Sequence, residues 1–441
     1  SAGSQLGALA QHPPSKRSRS LGHWTMSKKL VLVMVGLPAR GKSYIVKMLM
    51  RYLCWIGFPI KVFNIGDYRR KLGLAGVDKS FFDPENEEGM RIRQKMVEVV
   101  QDEMYQWLGS DDEVKVALFD ATNTTKERRN KLLARSREEK NVLLVFIESI
   151  CDDPNILAAN YKLKLQNADY KGMDPKQALS DFMERVTEYE SVYETIDDDE
   201  DHSNIRYIKL YNVGQKVVTR NCKGYLPSQV AFYLQNVHIG ERKIWLTRHS
   251  MSISQVIGEI GEDTGELTEE GRRYSMTLAK FIKQEEETNR IEGRGQEILV
   301  MAGTQLVDAE SIAHLQMLYS VATTPLLNEM RGGSFTGMSR ADFKKDYPEQ
   351  WSQREAEKLH YRFPGAGGES YMDVIQRVRP LIVELERQPR SLVVVCHLAV
   401  QRCLYAYMMG IELEKVPHID LPQHTVIELT PTPFGTKARQ V

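Results

Sequence analysis

Residues Gly36-Leu37-Pro38-Ala39-Arg40-Gly41-Lys42-Ser43 spell a complete G-x-x-x-x-G-K-[ST] phosphate-binding loop. An apolar run, 30–35, leads into it. In the stretch 44–56 that follows, Ile45, Met48, Leu49, Tyr52, Leu53 and Ile56 fall on one helical face. Strand, loop, helix is the order in which loop amides and a helix N-terminus hold phosphate oxygens. Lys42 then reaches the outer phosphates and Ser43 a magnesium ion. The pattern implies a nucleoside triphosphate site on a P-loop α/β fold.

At 441 residues the chain exceeds one ordinary core, and two large domains are expected. Lys plus Arg and Asp plus Glu number 59 each, a balance that argues against a general nucleic-acid or membrane-surface binder. No apolar run approaches the roughly 18 residues of a bilayer-spanning helix, and no signal-peptide core is present. The cysteines (Cys54, Cys151, Cys222, Cys396, Cys403) are odd in number and form no C-x-x-C pair. A reduced, cytoplasmic compartment fits that usage.

Residues 1–27 are rich in Ser, Gly, Pro and Gln and read as a disordered tail, with a basic serine-containing piece at 15–20. From 28 to 240, apolar runs at 30–35, 59–65, 115–119, 142–147 and 205–210 alternate with helical stretches such as 87–108 and 175–195. That alternation predicts a parallel sheet covered by helices on both faces. The acidic run 197–201 reads as a solvated loop. A second alternating unit, 241–441, has expected strands at 243–247, 297–301, 391–396 and 425–429. Arg248-His249 and His397 follow two of these strands, where open α/β sheets place their sites. Either histidine alone reads as a structural residue; the pair exceeds background.

Asp120 closes the apolar run 115–119, the position of a magnesium-organising acid in a P-loop fold. The alternative is a helix cap, with Thr125 opening a charged helix. Candidate acceptor-side cations are Arg69, Arg70, Arg93 and Arg185, the last sharing a helix face with Tyr189.

The ordered motifs GLPARGKS, FNIGDYRR (63–70), FDPENEEGMRIR (82–93), FDATNTTKERR (119–129), ESICDDP (148–154), DFMERVTEYE (181–190) and LTRH (246–249) resemble the 6-phosphofructo-2-kinase/fructose-2,6-bisphosphatase family. The resemblance implies transfer of the ATP γ-phosphoryl group to the 2-hydroxyl of fructose 6-phosphate. It yields fructose 2,6-bisphosphate, a regulator of glycolysis and gluconeogenesis. It also implies a homodimer. By motif, the loop 36–43 with Asn160 and Lys164 binds ATP, and Ser43 and Asp120 hold Mg2+. Lys42, Asp120 and Cys151 belong to the kinase site. Arg69 or Arg70, Arg93, Thr122, Arg128, Lys164, Arg185 and Tyr189 bind the sugar phosphate. Several arginines suit bidentate phosphate recognition. The segment 160–164 is one residue shorter than the family pattern.

The second half is similar to the histidine-phosphatase, phosphoglycerate-mutase-like α/β fold. The resemblance implies His249 as nucleophile, Glu329 as acid, His397 as a second stabiliser, and Arg248, Gly261, Arg362 and Arg402 at the substrate. Departures are numerous. The family reads R-H-G-E-S-x-x-N-x-x-G-R, whereas Ser250, Met251, Gln255 and Glu259 stand here at its Gly, Glu, Asn and last Arg. Thr304 occupies the second clamping Arg, Arg340 a substrate Tyr and Leu398 a Gln, and the stretch 364–370 lacks a Lys. Losing one preorganised donor typically costs on the order of 10²–10³ in rate. A weak or absent phosphatase activity is therefore expected beside an intact kinase. Full bifunctionality and a non-catalytic sugar-phosphate sensor are the alternatives.

Overall fold

The computed structural model describes residues 29–441 apart from 75, 78, 84, 166, 167, 171, 239, 241, 262–264, 292–294, 296, 433 and 434. The expected tail, 1–27, lies outside the described residues. The first sheet is built from β1 (Lys29–Val35), β2 (Ile60–Asn64), β3 (Val116–Asp120), β4 (Val142–Ile150), β5 (Tyr207–Tyr211) and β6 (Lys216–Arg220), in the order β2-β3-β1-β4-β5-β6. Its helices are α1 (Lys42–Trp55), α2 (Ile65–Lys71), α3 (Glu87–Gly109), α4 (Lys126–Glu138), α5 (Pro154–Lys164), α6 (Pro175–Ser191) and α7 (Tyr225–Gln235).

Strand β1 is central and pairs in parallel with β3 and β4. Leu30, Leu32 and Met34 pack with Leu49 and Leu53 of α1 and Val230 of α7. Val31, Val33 and Val35 pack with Val100 and Met104 of α3 and Leu132 of α4. Burial on both faces is why this strand reads as a continuous apolar run instead of an alternating one.

The second sheet comprises β7 (Ile244–Arg248), β8 (Ile298–Ala302), β9 (Ser320–Thr323), β10 (Ser391–Cys396), β11 (Val426–Thr432) and β12 (Gly435–Gln440), in the order β12-β11-β7-β10-β8-β9. Here β7 and β10 are parallel neighbours, with Arg248 opposite Cys396.

Both sheets are mixed: β6, β11 and β12 each run antiparallel to a neighbour. The strands not expected from the sequence, β6, β9 and β12, lie at sheet edges and carry few buried residues, so they lack an apolar signature. Helix α6 stops at Ser191, short of the expected 195, because the Tyr193 hydroxyl and the Ile196 amide both donate to buried Glu148. The run 197–201 is not simply solvated. Glu200 accepts from the fully buried Arg129 at 2.5 and 2.9 Å, which fastens the segment to α4.

The two sheets share buried contacts. Trp55 of α1 meets Tyr407 of the helix Leu398–Met409 edge-on at 5.8 Å, and the Tyr233 hydroxyl of α7, whose ring stacks on Tyr52, lies 3.2 Å from the Tyr407 hydroxyl. Arg51 of α1 pairs with buried Glu386, which also accepts from the Tyr407 hydroxyl at 2.7 Å. Among the described residues, no helix is long and apolar enough to cross a membrane.

Removing one partner of a fully buried ion pair strands a charge, at about 3–5 kcal/mol. Arg129→Ala should therefore destabilise the first half by about that amount in urea unfolding followed by tryptophan fluorescence. A loss below about 1 kcal/mol would show that the pair does not fasten the segment.

Candidate functional site

The phosphate loop leaves β1 at Gly36, whose φ is +133° and where a Cβ would stand 2.5 Å from the Ser149 carbonyl oxygen. Only glycine passes that close to the neighbouring strand. Ala39 (φ 56°) and Gly41 (φ 85°) then turn the backbone so that α1 starts at Lys42. The Lys42 ammonium donates to the Gly36 and Leu37 carbonyls at 2.7 and 2.6 Å. Burial pulls its pKa down to about 7, with Asp120 opposing. Asn160 of α5 donates to the Ala39 carbonyl at 3.0 Å, and the Arg40 guanidinium to Tyr161 Oη and Glu190 Oε1 at 3.1 Å each. Helices α5 and α6 thus brace the loop.

Asp120 ends β3 in register with Asn64 at the end of β2. Asn64 donates to Asp120 Oδ2 at 2.6 Å, and Ser43 Oγ to the same oxygen at 3.4 Å. Burial raises the Asp120 pKa against the pull of Lys42 and Lys164. Thr125, not Asp120, caps α4.

One cavity of about 970 Å³ is lined by Gly41, Lys42, Ser43 and Asp120 and also by Arg93, Arg128, Lys164, Arg185 and Tyr189. Its guanidiniums fall into two groups. Arg69 donates to both oxygens of Asp169 at 2.7 and 2.8 Å, and Arg70 is paired with Asp67 and Asp169, so their charge is offset. Arg93 instead donates to the carbonyls of Gly89, Phe82 and Asp83. Arg128 donates to Asn123 Oδ1 at 2.9 Å, and Arg185 lies 3.7 Å over the Phe82 ring. Among the described residues, none of these three forms an ion pair. Burial lowers the pKa of both Arg128 and Lys164. The wall facing the loop therefore carries three guanidiniums that no carboxylate pairs among the described residues, an arrangement suited to a second anion.

At the second sheet, His249 and His397 follow β7 and β10, and their rings lie 4.3 Å apart. His249 Nδ1 sits 2.8 Å from the Ser250 carbonyl, which leaves Nε2 available. Burial and then His397 push its pKa down to about 3, so the ring is neutral. His397 is buried, which opposes charge, yet Asp308 (3.3 Å) and Glu329 (3.6 Å) push its pKa up to about 9. Partial burial opposes ionisation of Glu329, but His397 pulls its pKa down to about 2. Beside His397, Glu329 thus favours its carboxylate form in the resting site. Thr304 bonds Asn328 and leaves no guanidinium at the expected clamp position. Burial lowers the Arg248 pKa, Glu329 opposes, and Arg402 and Arg340 lower it further, so both cations stand near it.

The 6-phosphofructo-2-kinase family model matches residues 17–241, which hold the entire loop-and-arginine cavity. The chain belongs to the 6-phosphofructo-2-kinase family. The model of the histidine phosphatase superfamily, branch 1, matches residues 304–441. The chain is 39% identical to 6-phosphofructo-2-kinase 1 of Saccharomyces cerevisiae, over 92% of this chain and 51% of that protein. It is 39% identical to the 6-phosphofructo-2-kinase/fructose-2,6-bisphosphatase of Aquarana catesbeiana, over 97% and 87%. For 6-phosphofructo-2-kinase/fructose-2,6-bisphosphatase 3 of Rattus norvegicus the figure is 38%, over 98% and 75%. Family members thus carry either the kinase name alone or both names.

Within that family frame, the cavity gathers Thr122 and every expected acceptor-side residue. It does not gather Cys151. That residue is buried just beyond β4, outside the residues that line the cavity, and burial raises its thiol pKa, so it is neither exposed to substrate nor ionised. Gly36, Leu37 and Arg40 also lie behind the lining and act through loop geometry. In the second half, Arg362 is exposed and pairs with Asp373, and Arg402 donates to Ile419 O and Tyr371 Oη. Gly261 occupies a tight turn (φ +93°) against Thr336. Two residues escaped the sequence reading. Asn64 orients Asp120. Asn123, in a left-handed conformation, joins Arg128 to the Met34 carbonyl. Both sit inside quoted motifs, immediately at strand ends, and that position was the available signal.

A triphosphate beside Lys42 favours its charged form. Above pH 7 the free ammonium is mostly neutral, and below pH 7 it is already charged. Nucleotide binding should therefore take up close to one proton at pH 8 and much less at pH 6. Calorimetry in buffers of contrasting ionisation enthalpy reads this, and Lys42→Arg should abolish the difference. Equal uptake at both pH values would place the titrating group elsewhere.

Proposed function

We propose that the chain transfers the γ-phosphoryl group of ATP to the 2-hydroxyl of fructose 6-phosphate. The carrying observation is the set of three guanidiniums without ion-pair partners among the described residues, Arg93, Arg128 and Arg185, facing the phosphate loop across one cavity. A kinase acting on an unphosphorylated alcohol needs no such wall, whereas a phosphorylated acceptor does. The names of the relatives point to the same acceptor.

The loop amides and Lys42 hold the donor phosphates. Ser43 and Asp120, a hydroxyl and a carboxylate oxygen 3.4 Å apart, suit Mg2+, which would neutralise phosphate charge. Arg93, Arg128, Arg185 and Lys164 anchor the acceptor phosphate, and Tyr189 and Thr122 present oxygens for the sugar. The 2-oxygen attacks phosphorus, the bond to the bridging oxygen breaks with its electron pair leaving on ADP, and the hydroxyl proton is released to solvent. Alignment and charge stabilisation carry most of the acceleration. This function is assigned to residues 28–240, with 241–441 as the phosphatase-type half. A cytoplasmic homodimer completes the reading, and sedimentation equilibrium tests the dimer.

The second half is proposed to hydrolyse fructose 2,6-bisphosphate slowly or not at all. Thr304 and Glu259 stand where the family pattern has cations, and the carboxylates of Asp308 and Glu329, 3.3 and 3.6 Å from the His397 ring nitrogens, place negative charge beside the site. Full bifunctionality is the second reading, favoured by Arg340 and Arg402 standing near Arg248.

Lys42→Met should lower synthesis of fructose 2,6-bisphosphate by at least about 10²-fold, measured as acceptor-dependent ADP release. Undiminished synthesis would remove the kinase assignment, and wild-type ADP release indifferent to fructose 6-phosphate would favour a sensor. With substrate labelled at the 2-phosphate, release should trail synthesis by on the order of 10²-fold or more. Brisk release abolished by His249→Ala would establish bifunctionality.

A further inference from the structure

Phe82 ends a short turn, Lys79–Phe82, and is assigned no role by the motifs or by the relatives' names. It is buried, yet it touches four of the acceptor-side residues. Its ring lies 3.7 Å beneath the Arg185 guanidinium and 5.5 Å from that of Arg69, and its centroid is 6.2 Å from the Tyr189 ring. Its carbonyl accepts from Arg93 Nη1 at 2.9 Å. The turn itself is fixed. A Cβ at Gly89, in the first turn of α3, would come within 2.8 Å of the Phe81 carbonyl oxygen, so helix and turn touch backbone to backbone.

Two ways of holding an arginine coexist here. Asp169 fixes Arg69 by a bidentate ion pair, which orients the guanidinium and cancels its charge. An aromatic face orients a guanidinium through its quadrupole and leaves the charge and the in-plane N–H donors available. A backbone carbonyl likewise takes one donor without neutralising the cation. Arg185 has no ion-pair partner among the described residues, and its Nε is buried without a hydrogen bond.

From this geometry we infer that Phe82 is a positioning residue for the acceptor. Its ring aims Arg185 and its carbonyl aims Arg93 at the sugar phosphate without neutralising either. The inference rests on the proposed sugar-phosphate kinase reading and deepens it.

Steady-state kinetics on the full chain tests both separately. Phe82→Leu should raise the acceptor KM about tenfold, the scale of one desolvated cation–π contact. The KM for ATP should shift less than about twofold, and kcat at saturating acceptor should change little. Phe82→Tyr, which keeps the ring, should stay within about twofold of the parent in acceptor KM. Phe82→Met repeats the test if the leucine variant melts early. Equal rises in both KM values, or equal losses for Leu and Tyr, would reduce Phe82 to ordinary packing and overturn the inference. If Arg185→Met raises the acceptor KM while Phe82→Leu does not, the inference alone falls. If Arg185→Met also leaves it unchanged, the sugar-phosphate reading falls with it.

Discussion

The first half is organised by the burial of β1 on both faces between two parallel neighbours. That constraint requires seven residues of nearly unbroken apolar character. It also fixes what happens at the strand's end. The chain must turn beside Ser149 of β4, where only Gly36 fits, and it must bring the loop next to Asp120 of β3. The donor-phosphate cradle is thus a consequence of strand order, and α1 inherits its direction from the same turn. The loop's polar groups face a cavity because every other direction is filled by packed side chains.

Charge arrangement separates the two halves chemically. In the first, basic side chains are oriented by carbonyls, an amide and an aromatic ring, so that three of them keep their charge for a ligand. In the second, His397 is held between Asp308 and Glu329, and the carboxylates determine the protonation of the whole group. A cation whose field is already answered by its neighbours gains less from an incoming phosphoryl group. The same physics therefore leaves cations open to an anion in one half and a histidine already answered by carboxylates in the other.

Much of this was legible in the sequence, and unevenly so. Buried strands announced themselves through apolar runs, and the loop through residues that backbone geometry allows no freedom to change. The motifs delivered the lining of the cavity almost residue by residue. Edge strands such as β12, with the sequence Gly-Thr-Lys-Ala-Arg-Gln, gave no sign because exposed polar side chains there leave no apolar run. Cys151 lies outside the cavity lining, since position in a motif does not say which side of a strand end a side chain occupies. Asn64 and Asn123 went unnoticed because their work is to orient other groups. The acidic run 197–201 misled because Glu200 is neutralised by an arginine seventy-one positions earlier, a pairing that local composition cannot reveal.

Helix α1 is covered by the neighbouring half through Tyr407 and Glu386. The helix that carries the nucleotide lysine at its head therefore rests its tail on the phosphatase-type half. Deleting residues 241–441 would leave aromatic surface and an unmatched arginine bare to water, so that half props the kinase helix whatever turns over at its own histidines.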